Sequence, residues 1–219
     1  MFNHCPPISL TEYKRVQING KRHYQVPNGN YPSITSVLSF QDNSWLDDWR
    51  AKVGAEEADK ISARSKGRGT NLHKMCEDYL NNDPQSCKMP DAKEMFISLK
   101  PILNKINNIH FQEACLYSDK LKVAGTVDCI AEYDGVLSII DFKNSRYPKT
   151  LDKINDYLLQ ETFYSLAYYE LSGLYAPQIV TIIAVENNVP QVFIEQIRPY
   201  MKPLVSLVKE FHSTFYKTA

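Results

Sequence analysis

Several absences narrow the possibilities first. The five cysteines, Cys5, Cys76, Cys87, Cys115 and Cys129, are odd in number and form no CxxC pair. That argues against a disulfide framework and against zinc spacing, and it suits a reduced compartment. No apolar run approaches the roughly 18 residues of a membrane span. The opening Met-Phe-Asn-His-Cys-Pro-Pro has no basic segment followed by an apolar one. The expectation is a soluble, cytoplasmic protein with no membrane partner. Neither charge is in excess, since 25 Lys plus Arg balance 25 Asp plus Glu. A nucleic-acid reader would therefore need a local basic patch. Internal repeats and low-complexity tracts are also missing.

What remains is a chain of 219 residues, 43% of them hydrophobic, which is enough for a real core. The expected division is 1–90, an N-terminal hairpin and helical region, and 91–219, the core, in one compact unit. The first 32 residues suggest a hairpin, Arg15–Ile18 and His23–Val26 about an Asn19-Gly20 turn, followed by a loop. Pro32 and Ser33 suit the start of a helix. A charged helical stretch runs from about Trp45 to Ser62. Gly67-Arg68-Gly69-Thr70 breaks the pattern, and Thr70 can cap a further helix over 70–81. That helix places Leu72, Met75, Cys76 and Tyr79 on one face, with His73 at its edge. Asp91–Asn107 reads as another helix, kinked at Pro101. Strands follow at about 109–117, 122–133 and 136–143, then a helix over 156–173. Two strands, 178–186 and 190–197, share an Asn187-Asn188 turn, and a helix over 200–216 follows. From Asp91 the order is α-β-β-β-α-β-β-α.

The chemistry concentrates around Asp134-Gly135, which reads as a two-residue hairpin turn. A tight turn there puts Tyr133 opposite Val136, Ile130 opposite Ile139, and Asp128 opposite Asp141. Opposed residues share a sheet face with Cβ atoms roughly 5 Å apart, and like charges there are destabilising. Two carboxylates so placed call for a cation. Lys143 points to the same face as Asp141, two residues on. An Asp-x-Lys triplet alone is weak, because Glu12-x-Lys14 and Asp91-x-Lys93 also occur. Only Asp141-x-Lys143 ends an apolar run, Val136–Ile140. Carboxylates with water and phosphate oxygens suit Mg²⁺, and an imidazole suits Mn²⁺ better. Lys143 could position or deprotonate water, or stabilise charge on phosphorus. Glu113, mid-strand, faces either solvent or the metal. His73 is either a core histidine or a ligand. Gln160 and Tyr164 lie one helical turn apart. Gln160 could orient water or Lys143, with Tyr164 supporting it or touching a nucleic-acid backbone. Residues 60–74 hold Lys60, Arg64, Lys66, Arg68 and Lys74 with no acid among them. They form either a solvated face or a phosphate track.

The order His73, Glu113, Asp128, Asp141-x-Lys143, Gln160-x-x-x-Tyr164 resembles the PD-(D/E)XK nuclease superfamily, RecB-like branch. Gly125-Thr-Val-Asp-Cys-Ile-Ala-Glu-Tyr-Asp-Gly-Val-Leu-Ser-Ile-Ile-Asp-Phe-Lys-Asn-Ser is similar to the mitochondrial genome maintenance exonucleases and their phage and bacterial relatives. Tyr31–Leu38 and Gly67–His73 fit the same group, and the likeness spans roughly 31–197. It implies a restriction-endonuclease-like α/β fold, an αβββαβ core with a mixed central sheet flanked by helices. It also implies a helical arch for single-stranded DNA at residues 45–80. His73, Glu113, Asp128, Asp141 and the Phe142 carbonyl would hold Mg²⁺ or Mn²⁺. Lys143, Asp141, Asp128 and Gln160 would be catalytic. Arg64, Lys66, Arg68, Thr70, Ser33, Ser145 and Tyr164 would contact DNA. The activity implied is exonucleolytic hydrolysis of single-stranded DNA ends or flaps, in replication, recombination or repair. The alternatives are a structure-specific endonuclease or a non-catalytic binding subunit. Replication or recombination proteins are possible partners. The chain departs from part of the family in having no cysteine after Cys129, so no iron–sulfur cluster is expected. With no presequence, the expected setting is a bacterial cell or a phage-infected host.

Overall fold

The computed structural model describes residues 1–6, 11–40 and 44–216, apart from the side chains of 44–47, among them that of Trp45. Three antiparallel strands come first: β1 Arg15–Ile18, β2 Lys21–Val26 and β3 Gly29–Pro32. The first two and their turn match expectation. The third replaces the expected loop, because Tyr31 pairs with Tyr24 and both are buried. Next comes α1, Ile34–Leu38, whose N-cap Ser33 accepts the Ser36 N–H at 3.0 Å. It is followed by α2, Ser44–Val53, and α3, Ala55–Leu80.

Gly54, at φ 92°, separates α2 from α3. The expected break at Gly67–Thr70 does not occur, and α3 runs unbroken for 26 residues. Thr70 caps nothing; its hydroxyl donates to the Lys66 carbonyl four residues back. Each glycine weakens a helix by about 1 kcal/mol relative to alanine, so packing must hold this one. At Gly69 an added Cβ would meet Asn144 Nδ2 at 2.8 Å, so glycine lets α3 approach the end of β6.

Helix α4, Pro90–Leu103, holds Pro101 in its last turn and ends sooner than expected. Its C-cap is Asn104, and the Lys105 carbonyl accepts the Asp134 N–H at 3.0 Å, tying the chain to the hairpin turn. Strands β4 Ile106–Ser118, β5 Val123–Tyr133 and β6 Val136–Ser145 follow. After them come α5 Asn155–Ser172, β7 Gln178–Val185, β8 Gln191–Gln196 and α6 Arg198–Phe215. The five strands form one mixed sheet in the order β4-β5-β6-β7-β8, with only β6 and β7 parallel among the pairings described. This is the α/β class that the element order predicts, helices flanking a mixed sheet.

Alternation along the strands divides the core. Ile130, Ile139, Ile179 and Ile183 pack with α1, α5 and α6. Cys129, Ala131, Ile140, Phe142 and Ile182 pack with α3 and α4. Asp134 and Gly135, at φ 49° and 80°, give the type I′ geometry expected of the hairpin.

Candidate metal centre

The β5–β6 register is the expected one, from Tyr133↔Val136 to Cys129↔Ile140. There the ladder stops, one pair short of Asp128 and Asp141. Beyond it β5 stays with β4 as far as Val123, while β6 stays with β7 as far as Ser145. The two strands part into a fork. Asp128 bridges its base, where its Oδ2 accepts the Phe142 N–H at 2.8 Å. Asp141 and Lys143 lie on the α5 side of the sheet by alternation, while Phe142 turns the other way and meets the His73 ring edge-on.

His73 enters the fork from α3. Its Nδ1 lies 3.5 Å from Asp128 Oδ2 and 3.9 Å from Glu113 Oε1. Ligand atoms of His73, Glu113 and Asp128 all fall within 4.8 Å of one another, and the three could hold a metal ion. Glu113 falls opposite Asp128, between the pairs Gln112↔Cys129 and Ala114↔Val127. Its backbone has φ 47°, a left-handed conformation rare for a non-glycine residue in mid-strand. Of the two faces Glu113 could have taken, the site side is the one occupied.

Asp141 lies outside that three-residue group. Its Oδ2 pairs with the Lys143 ammonium, and its Oδ1 is buried without a hydrogen-bond partner among the described residues. Leaving a buried carboxylate oxygen unpaired is costly. A fork with an orphaned oxygen, two more carboxylates and an imidazole has the donor set of a hard divalent ion. Phe142 reaches the site through its N–H and its ring.

The electrostatics agree. Burial, with Asp128 beside it, pushes Glu113 up to about 7, against the pull of His73. Burial pushes Asp141 up to about 6, although Lys143 draws it down. Burial alone would lower Lys143, yet Asp141 and Asp128 more than offset it and hold the ammonium above its ordinary range. Burial first, and mutual repulsion second, weigh against keeping these carboxylates ionised together.

Helix α5 closes the site, but through residues other than those expected. Gln160 Nε2 donates to the Tyr164 hydroxyl at 3.3 Å, and Tyr164 packs on β5. At Gly125 an added Cβ would strike Tyr164 at 2.9 Å, so only glycine fits there. From α5, Tyr157 stands beside Lys143, and Glu161 acts on it through charge alone. The Lys143 ammonium stands 5.1 Å from the Tyr157 ring centre. Glu161 is fully buried, accepts from Thr181 Oγ1 at 2.5 Å, and keeps Oε2 unpartnered among the described residues. Burial, with Asp141 adding to it, holds its carboxyl well above the usual range. The sequence reading missed Glu161. The available signal was an acid in a helix with apolar residues on nearly every side.

The residues expected to touch DNA scatter. Ser33 and Tyr164 are each 2% exposed, so burial keeps both from any nucleic acid. Arg68, 4% exposed, donates to Asn144 Oδ1 at 3.1 Å and to Glu186 Oε2 at 2.9 Å, and acts as a brace. Arg64 is exposed but paired with Asp91, and Lys60 with Glu56. Lys74 pairs with Glu77 and Asp78. Lys66 is exposed and has no acidic partner among the described residues. Ser145 donates to the Tyr147 carbonyl. Thr70 lines an open cleft with Arg15, Gly69, His73, Lys74 and Glu113. The run is acid-free in sequence and largely neutralised in space.

No protein-family model matches the chain. The chain is similar to mitochondrial genome maintenance exonuclease 1. It is 25% identical to the Xenopus tropicalis protein over 156 positions, covering 65% of this chain and 44% of that one. It is 28% identical to the Mus musculus protein over 170 positions, covering 68% of this chain and 48% of the relative. The chain thus spans about half the length of the curated relatives it matches. Among solved structures, a protein of Eubacterium rectale designated an exonuclease superposes with a TM-score of 0.48 at 13% identity, over 67% of this chain and 64% of that one. Among the described residues no helix is long and apolar enough to cross a membrane.

Proposed function

We propose that this chain is a metal-dependent deoxyribonuclease of the PD-(D/E)XK type that hydrolyses single-stranded DNA from an end or flap, in replication, recombination or repair. The fork carries this reading: a buried Asp141–Lys143 pair with an orphaned carboxylate oxygen, beside a His73, Glu113 and Asp128 cluster. A binding module has no need of a lysine beside a cluster of carboxylates. The similarity to proteins named exonucleases supports a nuclease.

His73, Glu113, Asp128 and Asp141 would hold Mg²⁺ or Mn²⁺, which when bound supplies Lewis-acid charge stabilisation and a more acidic water. Lys143, paired with Asp141, would present a cation to the non-bridging phosphate oxygens as negative charge grows there. The Tyr157 ring would help to fix the lysine's direction. Asp128, locked to the Phe142 N–H, keeps the fork at one width. The α2–α3 segment would form the wall along which a single strand approaches, with Lys66 and Thr70 at its surface.

A fluorescent single strand with one end blocked, incubated with Mn²⁺, should shorten from the free end, and a circularised strand should persist. Rapid cutting of the circle selects the endonuclease, and intact DNA in every arm removes the nuclease reading.

A further inference from the structure

Past Lys143 the strand β6 ends at Ser145, and the chain turns through Arg146-Tyr147-Pro148. The turn is pinned on both sides. Ser145 Oγ donates to the Tyr147 carbonyl at 2.7 Å, and the Ser145 carbonyl accepts the Glu186 N–H at 2.9 Å. Lys149 exchanges two backbone hydrogen bonds with the Gln191 side chain, at 2.7 and 2.9 Å. On this fixed turn Tyr147 is 67% exposed, the most exposed tyrosine or phenylalanine among the described residues. Arg146 lies over its ring at 5.4 Å and has no acidic partner among the described residues.

Arg146 of the turn forms one wall of a cleft of about 400 Å³. Lys60, Arg64 and Arg68 of α3 line the other wall, with Glu57 and Glu186. Arg68, bonded to Asn144 and Glu186, ties the two walls together, so the cleft has a rigid floor. Four residues of chain, at most about 14 Å, separate Tyr147 from Lys143. A flat ring held open to solvent, beside a guanidinium with no acidic partner among the described residues, suits one ligand class. Bases stack on such rings regardless of sequence, and cations track the phosphates between them.

We infer that Tyr147 and Arg146 form a stacking platform for a nucleobase of a single strand, a few nucleotides from the phosphate at Lys143. The Arg146 side of the cleft takes the intervening backbone. This rests on the nuclease reading for the position of the scissile phosphate, but the platform binds without cleavage.

The test is a single-stranded oligonucleotide carrying 2-aminopurine at successive positions, titrated in EDTA so that no hydrolysis occurs. Wild-type protein should quench the probe at one position. Tyr147→Ala should abolish that quench and weaken binding about tenfold, Arg146→Ala should weaken it less, and Tyr147→Trp should restore both signals. Tyr147 is exposed, so an unchanged melting temperature should accompany the loss. Wild-type affinity in Tyr147→Ala, or equal loss in Tyr147→Ala and Tyr147→Trp, overturns the platform. In a parallel Mn²⁺ assay, cleavage that persists alongside those results leaves the nuclease reading standing. Position-specific quenching without any cleavage overturns the nuclease reading and retains the platform.

Discussion

The fork between β5 and β6 and the cation-rich side of α3 treat charge in opposite ways. In the fork, Glu113, Asp128, Asp141 and Glu161 crowd around His73 and Lys143, and two buried carboxylates keep an unpartnered oxygen. Along α3, four of the five cations between 60 and 74 have an acidic partner. One region stores an imbalance and the other removes one. An imbalance that the fold does not relieve marks where an external cation belongs. A row of basic residues carries no such message until its partners are known.

The comparison breaks most sharply at Lys143. Lys143→Ala should lower turnover by about a thousandfold or more while leaving single-strand binding nearly intact, as expected for loss of a transition-state electrostatic contact. Single-turnover kinetics beside an anisotropy titration measure both, and near-normal turnover would remove the lysine from the mechanism. On the balanced side, Arg68→Ala should destabilise the protein by about 1–3 kcal/mol, since Glu186 and Asn144 lose a partner. Denaturant unfolding reads this directly, and an unchanged midpoint would return Arg68 to the set of DNA contacts.

A gentler probe is Asp128→Asn. Its amide oxygen can still accept the Phe142 N–H while one repelling charge disappears. Weaker Mn²⁺ affinity together with an equal or higher melting temperature without metal is expected. Calorimetry showing unchanged affinity would refute a shared site. The same imbalance sets a pH dependence. Glu113 and Asp141 are raised in the folded state, to about 7 and about 6. Between their ordinary values near 4 and those raised values, the folded protein holds protons that the unfolded chain has released. Stability of the metal-free protein should therefore fall as pH rises from about 4 to 7. Melting scans across that range should show the decline, and Mn²⁺ should reverse it at the upper end. The smallest effect belongs to Lys66, whose replacement by alanine should flatten the salt slope of single-strand binding by about 0.7. No change would confine phosphate tracking to other cations.

Much of this was legible beforehand, and the limits follow distance along the chain. The Asp134-Gly135 turn, the register beside it and the succession of elements along the chain rest on local chemistry, so sequence sufficed; the parting of β5 from β6 before Asp128 and Asp141 does not. Helix α3 did not, because two glycines within three residues suggest a break, and the close approach of Gly69 to the Asn144 side chain depends on a contact remote in sequence. Strand β3 looked like a loop because Gly29, Asn30 and Pro32 are turn residues that a pairing with β2 overrides. The neutralised cations escaped notice because Asp91 and Glu186 are remote from Arg64 and Arg68. Glu161 was hidden by a helix with no polar face to set it apart.

The left-handed backbone at Glu113 has a consequence for laboratory evolution. Such a conformation typically carries a penalty on the order of 1–3 kcal/mol for a side chain other than glycine or asparagine. A library screened for thermal resistance alone should enrich glycine or asparagine at position 113 and return sturdier molecules that have lost a candidate ligand. Screened for DNA hydrolysis, the same library should keep the glutamate. The divergence of the two selections at one codon would show what the unrelaxed backbone is for.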